Sequence, residues 1–104
     1  MRTRYWAACL AAVPVLISAA LAQDATALRT RGLAATCANC HGTDGRTQGE
    51  TVPTLAGRDR ELIASRLREF RDGKRPATVM HQLAKGYTEE QIDTLAAYFA
   101  ALKN

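Results

Sequence analysis

Hydrophobic residues recur at helical spacing in several stretches of the chain, and no stretch alternates as a strand would, so the sequence predicts an all-α fold. We expect three main helices. The first is predicted to begin at Asp24, a favourable N-cap residue, and to run towards Cys37, with Leu28, Gly32 and Ala35 on one face. A glycine inside a helix costs about 1 kcal/mol relative to alanine, so Gly32 indicates either a close helix crossing or a tolerated glycine.

The second and third helices have clear boundary signals. The second is expected from about Asp59 to Asp72, followed by Gly73 as a stop signal. The third is expected after Thr88, which can form a capping box with Gln91. The inner faces are predicted to be Leu62, Ile63, Arg66, Leu67 and Phe70 in the second helix, and Ile92, Leu95, Ala96, Phe99 and Leu102 in the third.

Two long segments between these helices lack any apolar period and are predicted to be loops. The first, residues 42–57, is rich in glycine and contains Pro53; the second, residues 73–87, contains Met80 and His81. Structureless stretches of about 15 residues are uncommon in compact domains and usually serve a function. We therefore expect the two loops to surround a bound group.

The start of the chain has the composition of a secretory signal peptide. Arg2 and Arg4 precede an apolar run from Trp6 to Leu21, and small residues stand at the expected cleavage positions. A retained membrane anchor is the alternative, but the run is shorter than the about 20 residues that a spanning helix needs. We expect residues 1–22 to be removed, and residues 23–104 to form a single periplasmic domain without stable membrane insertion.

The domain predicted to remain after cleavage is small and weakly charged. Cleavage would take two of the 14 basic residues and none of the ten acidic ones, which lowers the formal net charge from +4 to +2. Domains of about 80 residues often need a disulfide, metal or cofactor. Cys37 and Cys40 are too close in sequence to join distant parts of a fold, so we expect a bound group. No basic tract with interleaved aromatic residues is present, and nucleic acid is not an expected partner.

Cys37, Cys40 and His41 form a Cys-x-x-Cys-His motif, for which three functions compete. The thiols can attach covalently to a haem whose iron binds His41, they can cycle between dithiol and disulfide, or they can bind zinc together with His41 and His81. Zinc sites normally use two separated ligand pairs, and no βαβ pattern surrounds a redox dithiol here. The five-residue signature therefore favours one covalent haem c.

An iron bound by His41 has a sixth position, for which Met80 is the main candidate. Met80 is the only methionine beyond the predicted leader, and it lies in a polar loop. His81 is the rival ligand, and filling a gap in the core is the alternative role for Met80. Histidine and methionine together raise the reduction potential and close the iron to substrates, so we expect electron transfer rather than catalysis at the iron, such as a peroxidase reaction.

The sequence resembles class I c-type cytochromes in three stretches: residues 37–42 (CANCHG), 52–57 (VPTLAG) and 79–100 (VMHQLAKGYTEEQIDTLAAYFA). The last stretch is most similar to cytochrome subunits of flavocytochrome c sulfide dehydrogenases. The resemblance implies a cytochrome c fold in which three main helices and long loops surround one covalently attached haem.

The resemblance also implies roles for individual residues. Cys37 and Cys40 would form the thioether links, His41 would be the proximal iron ligand and Met80 the distal one. The carbonyl of Pro53 would accept a hydrogen bond from the His41 ring. First and last helices would cross through a glycine and an aromatic residue, for which the candidates are Gly32 with Phe99 or Tyr98.

The implied partner is a flavoprotein subunit that oxidises sulfide at FAD, while the cytochrome passes electrons to a downstream c-type cytochrome or oxidase. This chain has no Gly-x-Gly-x-x-Gly unit for FAD and no close carboxylate pair for acid and base catalysis, so it is expected not to be an enzyme itself. Some similar subunits carry two haem motifs, whereas this chain has one. The alternatives are a free-standing soluble cytochrome serving an oxidase or reductase and, more remotely, a small zinc-binding domain.

The second helix and its exit carry many charges of both signs. Three interpretations are open: a docking face for an acidic partner, counter-ions for haem propionates, or a solvated helix face with pairs such as Arg68 and Asp72. The basic residues in this stretch are Arg58, Arg60, Arg66, Arg68, Arg71, Lys74 and Arg75.

Overall fold

The computed structural model describes the backbone of residues 4–103 and the side chains of residues 19–103. Met1 to Thr3, the start of the predicted leader, lie outside the described residues. Within residues 4–103 the chain forms helices and no strand, which confirms the all-α prediction. The elements are α1 (Arg4–Ala35), α2 (Ala38–His41), a 3₁₀ turn (Thr43–Gly45), α3 (Arg60–Arg71), α4 (Met80–Ala84) and α5 (Glu89–Ala101).

The first helix is longer than predicted. It begins at Arg4, so the predicted start at Asp24 is wrong, and Asp24 lies inside the helix. The reason is local: residues 19–27 are rich in alanine, and no glycine or proline there ends the helix. Among residues 19–103, whose side chains the structure describes, no helix combines the length and apolar character that a bilayer-spanning segment needs.

The chain divides into two compact units between Arg31 and Gly32. In the described part of the chain, the first unit is the portion of α1 that includes most of the predicted leader. The second unit contains the end of α1 and every later element, and it buries the hydrophobic core.

The core of the second unit contains few large side chains. Its fully buried large residues are Phe99, Ile92 and Leu95, all on α5. The other buried hydrophobic residues among the described side chains are Ala34, Ala56, Ile63, Ala64, Ala84 and Ala96. Most of these are alanines, so the protein part of the core has little apolar volume, as expected of a domain that is completed by a bound group.

The inner face of α1 differs from the predicted one. Ala34 is buried in the core and Leu33 packs against it, whereas Leu28 is 67% exposed and Gly32 and Ala35 are also exposed. Only the last four residues of α1, from Gly32 to Ala35, belong to the unit that holds the core, so a face drawn from Leu28 onwards did not identify the buried residue.

The boundaries of α3 and α5 confirm the predicted signals. Asp59 caps α3, because its Oδ1 accepts a hydrogen bond from the backbone N–H of Leu62 at 2.9 Å. Gly73 follows the end of α3 in the left-handed region, with φ of 70°. Thr88 and Gln91 form both hydrogen bonds of the capping box, at 3.0 and 3.2 Å.

The predicted inner face is correct for α5 and only partly correct for α3. Ile92, Leu95, Ala96 and Phe99 are buried, and Leu102 is half-buried just beyond the helix. In α3, however, Ile63 and Ala64 are buried while Leu62 is exposed.

A short helix, α4, interrupts the second predicted loop. Met80 is its first residue, so the prediction of an irregular loop at this position is wrong. Four of the five residues from Met80 to Ala84 are good helix formers, Ala84 is fully buried, and α4 packs against α3. The backbone of Met80 is therefore the start of a helix and not part of an irregular loop.

Ion pairs join α3 to α5. Glu89 at the start of α5 accepts hydrogen bonds from Arg68 and Arg71, and the Arg71 contact is 2.7 Å long. Arg68 also contacts Asp93 at 2.7 Å. The suggested pair of Arg68 with Asp72 within the helix is replaced by these contacts between helices.

The two arginines lower the pKa of the Glu89 carboxyl, mainly through hydrogen bonds from Arg71 and then Arg68. A carboxyl whose pKa is lowered by folding stabilises the protein above its ordinary pKa of about 4.3, and the effect is lost as the pH falls through the lowered value. We therefore expect Glu89→Gln to reduce the free energy of unfolding at pH 7, with a difference from wild type that vanishes in acid. Urea unfolding at pH 7 and at acidic pH measures both values.

The matched control for this prediction is Glu90→Gln. Glu90 stands in the same first turn of α5, and no ion pair involves it within the described side chains. Equal losses in the two variants would mean that only the helix dipole, and not the arginines, acts on Glu89.

Candidate functional site

One helical turn carries both cysteines and the adjacent histidine. Cys37 is the N-cap of α2, and the N–H of His41 donates to the Cys37 carbonyl at 2.9 Å. Neither cysteine forms a disulfide: Cys37 is half-buried against the hydrophobic core, and Cys40 is exposed. His41 is only 8% exposed. The turn therefore places two thiols and one imidazole at the boundary between core and solvent.

Burial raises the pKa of the Cys37 thiol, and a hydrogen bond from the Thr36 side chain only partly opposes this. Catalytic dithiols have lowered thiol pKa values, because the thiolate is the reactive form. The environment of Cys37 thus argues against the redox-dithiol alternative.

The ring of His41 has a defined orientation. Its Nδ1 lies 2.7 Å from the carbonyl oxygen of Pro53, the hydrogen bond that the family resemblance implies. A carbonyl can only accept, so Nδ1 carries a hydrogen and Nε2 is the ring nitrogen that is left for a metal ion. A neutral imidazole with a free Nε2 is the form that binds a metal ion.

The glycine that follows His41 allows a close backbone approach. Gly42 has φ of 77°, and a Cβ atom there would lie 2.0 Å from the carbonyl oxygen of Arg46. Only a residue without a Cβ fits this geometry. The chain can therefore reverse direction immediately after the imidazole.

The glycine and aromatic contact expected at a helix crossing occurs at a different glycine. A Cβ on Gly45 would lie 2.9 Å from atoms of the Phe99 ring and of Leu55. At Gly32 an added Cβ would meet nothing within 4 Å, so the prediction that Gly32 marks the crossing is wrong. The turn after the motif, and not α1, supplies the glycine that Phe99 contacts.

Met80 and His81 stand together at the start of α4. Met80 is half-buried. The Nδ1 atom of His81 is buried and has no hydrogen-bond partner in the part of the chain that the structure describes. Both candidate distal ligands are thus held on one turn, and that turn packs against α3.

A hydrogen bond connects the motif to the segment after α4. The hydroxyl groups of Thr36 and Tyr87 are 3.1 Å apart, although 51 residues separate them. Thr36 immediately precedes Cys37, so this contact brings the connection between α4 and α5 beside the start of the motif. No local sequence signal predicted this pairing.

The residues of the zinc alternative do not assemble. Over the described residues, no group of three histidine, cysteine, aspartate or glutamate side chains could hold a metal ion. Cys37, Cys40, His41 and His81 therefore do not form a tetrahedral site.

The residues present do fit a covalently attached haem. Two cysteines outside any disulfide and an imidazole whose Nδ1 is hydrogen-bonded share one turn. Near Met80, Val79 and Leu83 leave 45% and 48% of their surfaces exposed, while the core contains mostly alanine. Uncovered apolar side chains beside an under-filled core are what a domain built around a large apolar cofactor would show.

The family profile described as cytochrome c oxidase, cbb3-type, subunit III, matches residues 24–99 of the chain. Among curated proteins, the cytochrome subunit of sulfide dehydrogenase from Chlorobaculum tepidum is 44% identical over 70 residues. That alignment covers 67% of this chain and 63% of that subunit, so the chain spans less than two thirds of the relative's length.

Two further similarities concern a smaller cytochrome and a solved structure. Cytochrome c-554(548) of Halomonas halodenitrificans is 36% identical over 69 residues, which cover 64% of this chain and 83% of that protein. The solved structure of cytochrome c4 from Acidithiobacillus ferrooxidans superposes with a TM-score of 0.60 at 41% identity, over 64% of this chain and 38% of that one. The cytochrome c fold expected from the sequence is thereby confirmed.

Proposed function

The chain belongs to the cytochrome c domain family described as cytochrome c oxidase, cbb3-type, subunit III. From its 44% identity to a cytochrome subunit of sulfide dehydrogenase, we propose that it is the monohaem electron-transfer subunit of a sulfide-oxidising flavocytochrome. It is a class I cytochrome c, an electron carrier with haem c as its cofactor and no catalytic site of its own. The single observation that carries the proposed site is the 2.7 Å contact between His41 Nδ1 and the Pro53 carbonyl.

Four residues hold the haem in this proposal. Cys37 and Cys40 would provide the thioether links, and His41 and Met80 would be the two protein ligands of the iron. When bound, the haem supplies a one-electron couple between ferric and ferrous iron. Two protein ligands leave no coordination position for a substrate, so the site suits electron transfer.

The residues around this site position the side chains of His41 and Met80. The Pro53 carbonyl keeps the hydrogen on Nδ1 of His41 and fixes the ring orientation. Met80 is the first residue of α4, which packs against α3 and contains the fully buried Ala84. Ligands that are held in place need little rearrangement when the charge of the site changes, which favours rapid electron exchange.

The proposed electron donor is an FAD-containing flavoprotein that oxidises sulfide. Support comes from the 44% identity to a sulfide dehydrogenase cytochrome subunit. Sulfide oxidation releases electrons in pairs, whereas this chain has one haem motif, so it would accept them singly and pass each to a downstream cytochrome or oxidase. We further propose that residues 1–22 direct export and are removed, which places the exchange in the periplasm.

A free-standing soluble cytochrome is the second candidate function. The observation in its favour is the similarity to cytochrome c-554(548), of which the alignment covers 83%. In that case the chain would exchange electrons with an oxidase or reductase and would need no flavoprotein.

Purification from the native periplasm distinguishes the two candidates. We expect a flavoprotein to co-purify with the cytochrome, and sulfide to reduce the haem in the purified complex. Intact-mass analysis should show a chain that begins at Gln23 and carries one haem. The matched control is the cytochrome separated from the flavoprotein, which sulfide should reduce much more slowly. A monomeric cytochrome that other cytochromes reduce, and that shows no flavoprotein-dependent reduction by sulfide, would support the free-standing carrier instead.

A further inference from the structure

The 3₁₀ turn Thr43–Gly45 lies directly after the haem-binding motif and contacts the C-terminal end of α5. The hydroxyl of Tyr98 donates a hydrogen bond to Oδ1 of Asp44 at 3.1 Å. The next residue in each segment is also in contact, because Gly45 packs against the ring of Phe99. A polar and an apolar contact thus join the same two segments.

Asp44 has an unfavourable backbone conformation. Its φ of 53° and ψ of 28° lie in the left-handed region. Among the residues that the structure describes, no other non-glycine residue has a positive φ. Aspartate tolerates this region better than most residues, but the conformation still has to be held by its surroundings. Besides Tyr98, Arg46 holds the carboxylate from a distance of 3.8 Å, and the Arg46 guanidinium also donates to the Lys103 carbonyl just after α5.

The 3₁₀ turn is also hydrogen-bonded to the segment that contains Pro53. The Gly45 carbonyl accepts hydrogen bonds from the N–H groups of Leu55, at 2.8 Å, and Ala56, at 3.2 Å. Leu55 is only two residues from Pro53, whose carbonyl contacts His41 Nδ1 at 2.7 Å. An unbroken series of contacts therefore leads from Tyr98 through the turn to the imidazole.

We propose that Tyr98 and Asp44 are positioning residues that set the strength of the hydrogen bond between the Pro53 carbonyl and His41, and thereby tune the reduction potential of the haem. A strong hydrogen bond at Nδ1 makes an imidazole a more basic ligand, which stabilises the ferric state. Loosening the turn weakens this hydrogen bond and raises the reduction potential. The proposal rests on the proposed role of His41 as iron ligand, but not on the sulfide-oxidising partner.

The test uses Tyr98→Phe in the haem-loaded protein, because this change removes only the hydroxyl. We expect the Leu55 amide hydrogen to exchange with solvent about fivefold faster, since the turn that accepts its hydrogen bond opens more often. The midpoint potential, measured by spectroelectrochemical titration, should rise. The exchange of the His41 Nδ1 hydrogen, followed by NMR, should accelerate in parallel.

Two matched variants separate this effect from others. Asp44→Asn keeps an acceptor for Tyr98 and tolerates the left-handed backbone, so we expect wild-type exchange at Leu55 even if the lost charge shifts the potential. Tyr87→Phe removes the hydroxyl that pairs with Thr36 on the other side of the motif, and it should leave the Leu55 and His41 exchange rates unchanged.

Three results would overturn the proposal: wild-type exchange and potential in Tyr98→Phe, faster exchange at Leu55 with an unchanged potential, or the same changes in Tyr87→Phe. None of these measurements needs sulfide or the flavoprotein, so a failed complex and a failed positioning role are separate results. The wild-type NMR spectrum tests His41 ligation by itself, because the ring protons of an iron-bound imidazole are strongly shifted.

Discussion

We expect Met80→Ala to abolish the weak sulfur-to-iron charge-transfer band of the ferric haem and to lower its reduction potential by on the order of 0.1–0.3 V, within the about 0.8 V that axial ligands span. A thioether favours ferrous iron, whereas the water or imidazole that can replace it favours ferric iron. Visible absorption spectroscopy and redox titration of the purified holoprotein measure the two effects.

The neighbouring residue provides the matched control. His81 shares the first turn of α4 with Met80, and its buried Nδ1 has no hydrogen-bond partner among the described residues. If Met80 is the distal ligand, His81→Ala should retain the charge-transfer band and nearly the wild-type potential. The opposite pattern would make His81 the ligand: no such band in the wild type, an unchanged spectrum in Met80→Ala and an altered spectrum in His81→Ala.

We expect Gly42→Ala to reduce the free energy of unfolding by about 3 kcal/mol, because overpacking and backbone strain each cost about 1–3 kcal/mol. The added Cβ would lie 2.0 Å from the Arg46 carbonyl oxygen, and the φ of 77° disfavours any side chain. Backbone atoms cannot rotate away, so the turn after His41 must open. Thermal unfolding of the holoprotein should show a fall of roughly 12–24 °C at this cost, if each kcal/mol lowers Tm by about 4–8 °C in a domain of this size.

Gly32→Ala is the control for this effect. Gly32 lies inside α1, where an added Cβ would meet no atom within 4 Å. Alanine is the better helix former by about 1 kcal/mol, so this variant should be as stable as wild type or slightly more stable. Equal destabilisation by the two substitutions would mean that Gly32 contacts something after all, or that Gly42 can relax.

Signals that lie within a few residues of each other predicted the structure well. Asp59 caps α3, Thr88 and Gln91 cap α5, and the period of α5 identified its buried face. These features depend on local geometry, which the order of residue types specifies directly. The predicted start of α1 at Asp24 was wrong, because a good N-cap residue does not begin a helix where an alanine-rich sequence already continues one.

Contacts between distant residues could not be predicted in this way. No local sequence pattern indicates that Phe99 packs on Gly45 and not on Gly32. Nor does one indicate that Arg68 forms its ion pair with Glu89 of α5. The hydrogen bond between Tyr98 and Asp44 joins residues 54 positions apart. Such pairs depend on how the loops bring the helices together. Many loop conformations are compatible with one pattern of residue types, so the pattern does not predict the pairs.

The sequence by itself determined the helical class, the motif that marks haem c and the candidate ligands, because covalent attachment and metal binding require particular residue types at short spacing. Only the tertiary structure decided which nitrogen of His41 is free and which glycine Phe99 contacts, and it alone linked α5 to the Pro53 segment. These properties depend on distances between residues far apart in the chain, and folding sets those distances.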